Sequence, residues 1–468
     1  MGDLPLNKEV PFASSSNSLR TLWFKKLYVI LSISLTINYL HAQDNENMLK
    51  FDLSVRYRFE AWNGMNAKNY GDDSQSAIGN LNDKILLQRV IPGFTYSGKN
   101  ITASFHLQDS RAFGWSLREK KYPDLFKIRK TGTESPYYTM NPQEEYFEIY
   151  DLYLEYRQLL KNVTVKIGRQ KIFYGDYRIF GPGDWGNTGR WTWDAVKISY
   201  KKGENFIDAF AGGTKIHDPL KISIPFTNTE YWGGGIYSHL KLTSRLNAEP
   251  YYAFKTEGSA DYIRTLSINR NWAGLRLAAP EKQDLIYDFL YAGEFGRDNG
   301  KRINAYAYFA KAGYRFSSVP SSPALSLRYT YASGGKKSDD IIRTFDPAFG
   351  AGDKFYGWMN IVQWSNLTDP EIVLELFLLK KKMWIEMKYN RFYIPVPDDV
   401  TIMNTMRIIE GKHHLGDETD IFIRYQPFKK WQFTAVFGYF HPGNLEQINF
   451  KDPKDSFWFA FQVLFNLN

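Results

Sequence analysis

Residues Val163 to Tyr200 read VTVKIGRQKIFYGDYRIFGPGDWGNTGRWTWDAVKISY, and the reading of this stretch decides the fold. Val163, Val165 and Ile167 alternate with Thr164, Lys166 and Gly168. Val196, Ile198 and Tyr200 alternate with Lys197 and Ser199. A period of two sends alternate side chains to opposite faces of a sheet, so the stretch predicts two strands. Between about Ile172 and Asp194 lie roughly 20 residues, far more than a hairpin needs. They hold Gly175, Gly181, Gly183, Gly186 and Gly189 beside Asp176, Arg178, Asp184, Asn187 and Arg190. No phosphate-loop lysine and no helix-forming run follows these glycines, which argues against nucleotide binding. Phe173, Tyr174, Tyr177, Ile179, Phe180, Trp185 and Trp191 give the connection too much apolar surface for a solvated loop. It is expected to fold inward against a barrel wall and narrow a pore, with Asp176, Arg178, Asp184, Asn187 and Arg190 at or near the constriction.

The same period runs along the chain. Phe51, Leu53, Val55, Tyr57 and Phe59 alternate with Asp52, Ser54, Arg56, Arg58 and Glu60. Leu325, Leu327, Tyr329 and Tyr331 stand opposite Ser326, Arg328 and Thr330; Met383, Ile385, Met387 and Tyr389 stand opposite Lys382, Trp384, Glu386 and Lys388. The end of the chain, from Ser456 to Leu467, repeats the pattern with Phe457, Phe459 and Phe461. About eighteen such strands can be placed. Only residues 371–381, EIVLELFLLKK, also suit a helix.

Composition narrows the class. The 468 residues are 43% hydrophobic and 17% aromatic, yet the mean hydropathy is only −0.43. One apolar run, Leu27 to Leu40, follows Lys25 and Lys26 and precedes His41-Ala42-Gln43, so residues 1–42 read as a secretory signal. No second long apolar run follows, which excludes a bundle of membrane helices. Transmembrane β-strands escape that test because each is apolar on one face only, and aromatic excess suits their interfacial belts. The expectation is therefore an all-β chain: a single transmembrane antiparallel β-barrel over residues 49–468, with long extracellular loops and short periplasmic turns. Ser244-Arg245, Ser317-Ser318 and Phe428-Lys429-Lys430 mark such turns, and residues 112–147 a long loop.

The absence of cysteine removes disulfides and thiolate metal sites. Seven histidines are scattered, and His413-His414 lacks a third ligand at metal spacing, so no metal or other cofactor is expected. Glu144-Glu145 and Asp339-Asp340 are adjacent carboxylates of the kind loops expose to solvent, and no GxSxG nucleophile context occurs. Catalysis is not expected. The net charge is +9; the first 42 residues account for two of these charges, leaving +7. Such an excess attracts acidic polymers and anionic lipid where geometry concentrates it.

GRQ-x3-YGD (Gly168 to Asp176) followed by Asp184-Trp185-x-Asn187-x-Gly189-Arg190-x3-Asp194 resembles the signature of the alginate export family. QDSRAFG (Gln108 to Gly114) and FDPAFGAGDKFYGWMN (Phe345 to Asn360) extend the resemblance, which departs from the family pattern at Asp353 and Asn360. The resemblance implies an outer-membrane channel of a Gram-negative bacterium that passes an anionic polysaccharide or its oligomers, with outer-membrane lipids around it and a periplasmic export or binding partner. It implies no nucleic-acid partner. Phase places Arg56, Arg58, Arg157, Arg328 and Arg424 inward, and the resemblance adds Arg89, Arg111, Arg169, Arg178 and Arg190 as pore-lining or substrate-binding residues, with Asp194 in the motif. Guanidinium groups suit uronate carboxylates and Trp185 and Trp191 suit sugar faces. Pairing of these arginines with Asp52, Glu60, Asp151 or Glu155 would instead make them part of the wall. A nutrient porin for small anionic or sugar solutes is the alternative function, and a barrel enzyme acting on envelope lipid or glycan a third.

Overall fold

The computed structural model describes residues 48–64, 82–114, 127–129, 137–139, 143–219, 221–258, 267–281, 283–336, 338–352, 355–397, 401–402, 406–407, 412–443 and 455–467. The expected signal segment lies outside them. Eighteen long strands form the wall. They begin with β1 (Met48–Asn63), β2 (Asp83–Ser97), β3 (Ile101–Phe113), β4 (Glu145–Leu160), β5 (Val163–Gln170) and β6 (Trp193–Lys202). Next come β7 (Asn205–Thr214), β8 (Tyr231–Lys241), β9 (Asn247–Glu257), β10 (Ile268–Ala278), β11 (Leu285–Asp298) and β12 (Lys301–Arg315). The last six are β13 (Ala324–Ala332), β14 (Leu367–Leu378), β15 (Met383–Tyr393), β16 (His414–Phe428), β17 (Trp431–Pro442) and β18 (Ser456–Asn466). Each pairs antiparallel with its neighbours in sequence, and β1 closes on β18 from Ser54↔Asn466 to Asn63↔Phe457. Closure leaves no free sheet edge, which a barrel in hydrocarbon requires.

The stretch that also suited a helix is β14. Its Ile372 is exposed on the outer face while Val373 and Glu371 are buried inside. The alternation decides the face throughout. Leu325 and Leu327 point outward at 50% and 61% exposure, whereas Thr330 on the same strand points inward at 0%. Phe457, Phe459 and Phe461 of β18 are exposed outside and Trp458 and Ala460 buried inside.

One rim carries both ends of the described barrel chain and the connections 98–100, 161–162, 203–204 and 429–430, besides four slightly longer ones. By the usual asymmetry of these barrels, this is the periplasmic rim. The connections at the other rim are long with one exception: β11 and β12 meet through Asn299-Gly300 alone. Both residues have positive φ (49° and 80°), the backbone that a two-residue hairpin with right-handed twist needs.

Candidate functional site

Residues 171–192, between β5 and β6, fold into the barrel rather than away from it. Ile172, Tyr174, Ile179, Phe180 and Trp191 are all buried. Tyr174 stacks on Tyr237 of β8 with ring centroids 4.5 Å apart, and its hydroxyl donates to Asp208 of β7 at 2.7 Å. Gly183 turns the segment with φ 64°, and a Cβ there would meet Arg190 Cβ at 2.8 Å, so the turn needs glycine. Tyr177 adopts φ 75° without being glycine, a conformation held only by surrounding packing.

A second segment, within residues 333–366 between β13 and β14, meets the first inside the barrel. Phe349 N donates to Ile179 O at 3.1 Å and Gly181 N to Phe349 O at 2.9 Å, forming a parallel bridge between Phe180 and Phe349. Trp191 Nε1 donates to Gly350 O at 3.0 Å. Lys255 of β9 is buried where the two segments join, its ammonium 5.0 to 5.3 Å from the ring centroids of Phe349, Trp191, Trp272 and Tyr231. Asp346 accepts from it at 3.4 Å. Further along, Trp358 N donates to Asp420 and Met359 N to Glu418, both on β16, at 3.0 and 2.9 Å. Trp185 meets Trp358 edge to face at 4.9 Å, so the two segments span the lumen as one plug.

The inward arginines of β1 hold that plug. Arg56 donates to Asp184 O and Gly186 O, each at 2.9 Å, and to Asn187 Oδ1 at 3.1 Å. Arg58 reaches Trp185 O, lies 4.3 Å from the Trp185 ring centroid and pairs with Glu60 at 2.6 Å. Asn187, fully buried, donates to Gln88 O, Arg111 O and Gln143 O. Arg89 of β2 approaches Asp184 O at 3.5 Å, and Lys171 pairs with the Asp184 carboxylate. Arg178 is buried within 3.8 Å of the Phe309 ring centroid, with Asp176 Oδ2 3.1 Å from its Nε. Arg190 pairs with Glu230 at 2.8 Å and remains 42% exposed. Arg111 pairs with Asp109 at 2.6 Å. Arg157, near the periplasmic rim, donates to Gly98 O at 2.8 Å and Thr102 Oγ1 at 3.0 Å.

Arg169 and Asp194 stand apart from this set. They oppose each other in the β5–β6 ladder in phase with Ile167, Val196 and Ile198, which face outward at 39% to 49% exposure. The two groups form a two-pronged ion pair at 2.7 and 2.8 Å, joined by Glu148 at 2.9 Å. Segment 221–227 lies over them: Ser223 O accepts from Arg169 at 2.7 Å and Phe226 N donates to Asp194 at 3.2 Å. Its Ile222, Ile224 and Phe226 are exposed. Apolar side chains thus present a lipid-compatible surface over a buried charge pair that faces away from the lumen. This differs from the pore-lining role that the resemblance implied for both residues: their phase with Ile167 and Val196 turns them away from the lumen.

Several groups that sequence reading passed over complete the site. Lys215 and His217 both reach Glu145 of β4, at 2.7 and 3.1 Å, tying residues 215–218 to the wall. Burial holds the His217 imidazole below its ordinary pKa of 6.5, against the pull of Glu145. On the periplasmic side, Ser104, His106 and Asp151 cluster, but Ser104 Oγ and Asp151 Oδ1 both address His106 Nδ1, at 3.0 and 2.9 Å. The other ring nitrogen, Nε2, lies 3.4 Å from Asp52 Oδ2, so the imidazole sits between two carboxylates. Among the described residues, inward Arg56, Arg89, Lys166, Lys311, Arg315 and Arg424 form no ion pair within 4.0 Å of a carboxylate, whereas Arg270, Arg276 and Arg328 do.

A closed barrel of this kind, plugged from within by its own loops, defines an outer-membrane channel. The sequence matches the family described as Alginate export over residues 47–450, and the chain belongs to that family. Comparison with curated proteins finds none that matches. Solved structures share the fold. The outer membrane protein OprD from Pseudomonas aeruginosa is 12% identical, covering 91% of this chain and 95% of its own, with a TM-score of 0.54. OpdK with vanillate, from the same organism, is 9% identical over 90% of this chain and 98% of its own, with a TM-score of 0.56. Acinetobacter baumannii OccAB2 is 12% identical over 90% and 98%, with a TM-score of 0.53.

Proposed function

We propose that the chain passes acidic saccharides, an alginate-like polysaccharide or its oligomers, through a lumen whose unpaired cations favour anions. The observation that carries this reading is that inward Arg89, Lys166, Lys311, Arg315 and Arg424 have no carboxylate partner among the described residues, on a chain of the alginate export family. Cations already paired contribute little field. Those left free attract carboxylates without trapping them, because each offers one weak, screened contact. Arg89 would do so at the plug, Lys166, Lys311, Arg315 and Arg424 towards the periplasm; Arg56 is buried with its donors taken by Asp184 O, Gly186 O and Asn187 Oδ1. The plug favours the second reading, small anionic solutes, to the extent that Trp185 and Trp358 stay 4.9 Å apart during transport.

Reversal potentials across planar bilayers in a potassium chloride gradient test the selectivity. The unaltered channel should prefer chloride, and Arg89→Gln with Lys166→Gln should move the potential towards cations. Cation preference in the unaltered protein would refute it. Conductance block by uronate oligomers of rising length separates polymer from small-solute passage: block should persist beyond the trimer for the first and cease for the second.

A further inference from the structure

Beneath the turn Ala279–Asp284, between β10, β11 and β12 at the periplasmic rim, the inner wall holds a cavity of about 390 Å³. That is the scale of small-ligand pockets, which begin near about 300 Å³. We propose that this recess is a binding subsite for one acidic group of a sugar-sized solute, recognised by Lys311 and Arg315. The inference rests on the channel reading above and adds to it a stopping place for the solute.

Apart from the exposed Glu281 carboxylate on the turn, the charges in the recess divide into spent and unspent. Asp288 takes both prongs of Arg276, at 2.9 and 2.7 Å, and Arg276 also pairs with Glu249 at 2.8 Å. That trio is closed. Lys311 forms no ion pair among the described residues, and Arg315 sits 5.3 Å from the Phe377 ring centroid with its buried Nε lacking a hydrogen-bond partner. A guanidinium and an ammonium on alternate inward positions of one strand converge on an anion better than on each other. Pro280 and Ile286 supply apolar surface for a ring face. Hydrogen bonds fix both ends of the turn: Arg315 N donates to Asp284 O at 2.7 Å, Ala279 N to Tyr287 O at 2.9 Å, and Gln283 Nε2 to Ser244 O at 2.7 Å.

The test uses glucuronate and glucose as probes on the full-length protein in detergent, with binding followed by ligand-observed NMR and calorimetry. Glucuronate should bind and glucose should not. Lys311→Gln with Arg315→Gln should weaken glucuronate by about tenfold or more while heat-modifiability on gels stays unchanged. Equal binding by the variant, or binding of glucose as tight as glucuronate, overturns the subsite. Chloride selectivity measured on the same preparation keeps the two ideas distinct: its loss in the unaltered protein counts against the channel reading, whereas unchanged glucuronate binding in the variant counts against the recess alone.

Discussion

Arg58 shows what an inward arginine does in this barrel. Its guanidinium and the Glu60 carboxylate are 1% and 0% exposed and 2.6 Å apart, and the same guanidinium holds Trp185. Removing one member of a buried pair leaves the other's charge uncompensated, at a cost of about 3–5 kcal/mol. Arg58→Met should therefore lower the urea midpoint of unfolding in lipid vesicles. Adding Glu60→Leu should restore much of the loss, since no stranded carboxylate remains. If the single variant unfolds at the same midpoint as the parent, the pair does not stabilise the barrel.

At the scale of elements, the plug is held from several sides, and residues 215–218 form one of its latches. His217 Nε2 lies 3.2 Å from Arg190 O, Nδ1 lies 3.1 Å from Glu145, and Lys215 faces the same carboxylate. Since the packed pKa is depressed, the ring is neutral in the latch and gains a proton only when released. Above the released value of about 6.5 both states are neutral and the latch is at full strength. As pH falls below that value, protonation stabilises the released state and the latch weakens. Open-channel current noise should rise between pH 7.5 and pH 5 (about two and a half units across that pKa), and His217→Gln should abolish the difference. Noise that is equal at both values in the parent would count against the latch.

The whole molecule is governed by its two solvents. Leu327, 61% exposed, faces outward from the middle of β13, whereas Thr330 at 0% faces in. An arginine on the lipid face near the midplane costs about 2–4 kcal/mol, more than most lumen changes. Leu327→Arg should destabilise the barrel by that amount in vesicles, and Ser326→Ala, on the inner face, by less than about 1 kcal/mol. Equal effects would mean that β13 is not oriented as described.

Much of this was legible in the chain. Period-two alternation assigns each residue to lipid or lumen because a strand has only two faces, and it did so for β1, β13, β15 and β18. The apolar content of residues 172–191 required an inward fold, since Phe180 and Trp191 had nowhere else to be buried. Alternation also held the outward phase of Arg169 and Asp194, but a charge pair under lipid makes sense only once segment 221–227 covers it. Which arginines are spent and which are free was decided by tertiary structure alone. Arg56 meets a segment about 130 residues away, and Phe180 its partner Phe349 across the barrel. Local sequence sets the face of a side chain. Only closure of the barrel and the meeting of two distant loops set its partner, and hence whether its charge is left for a solute.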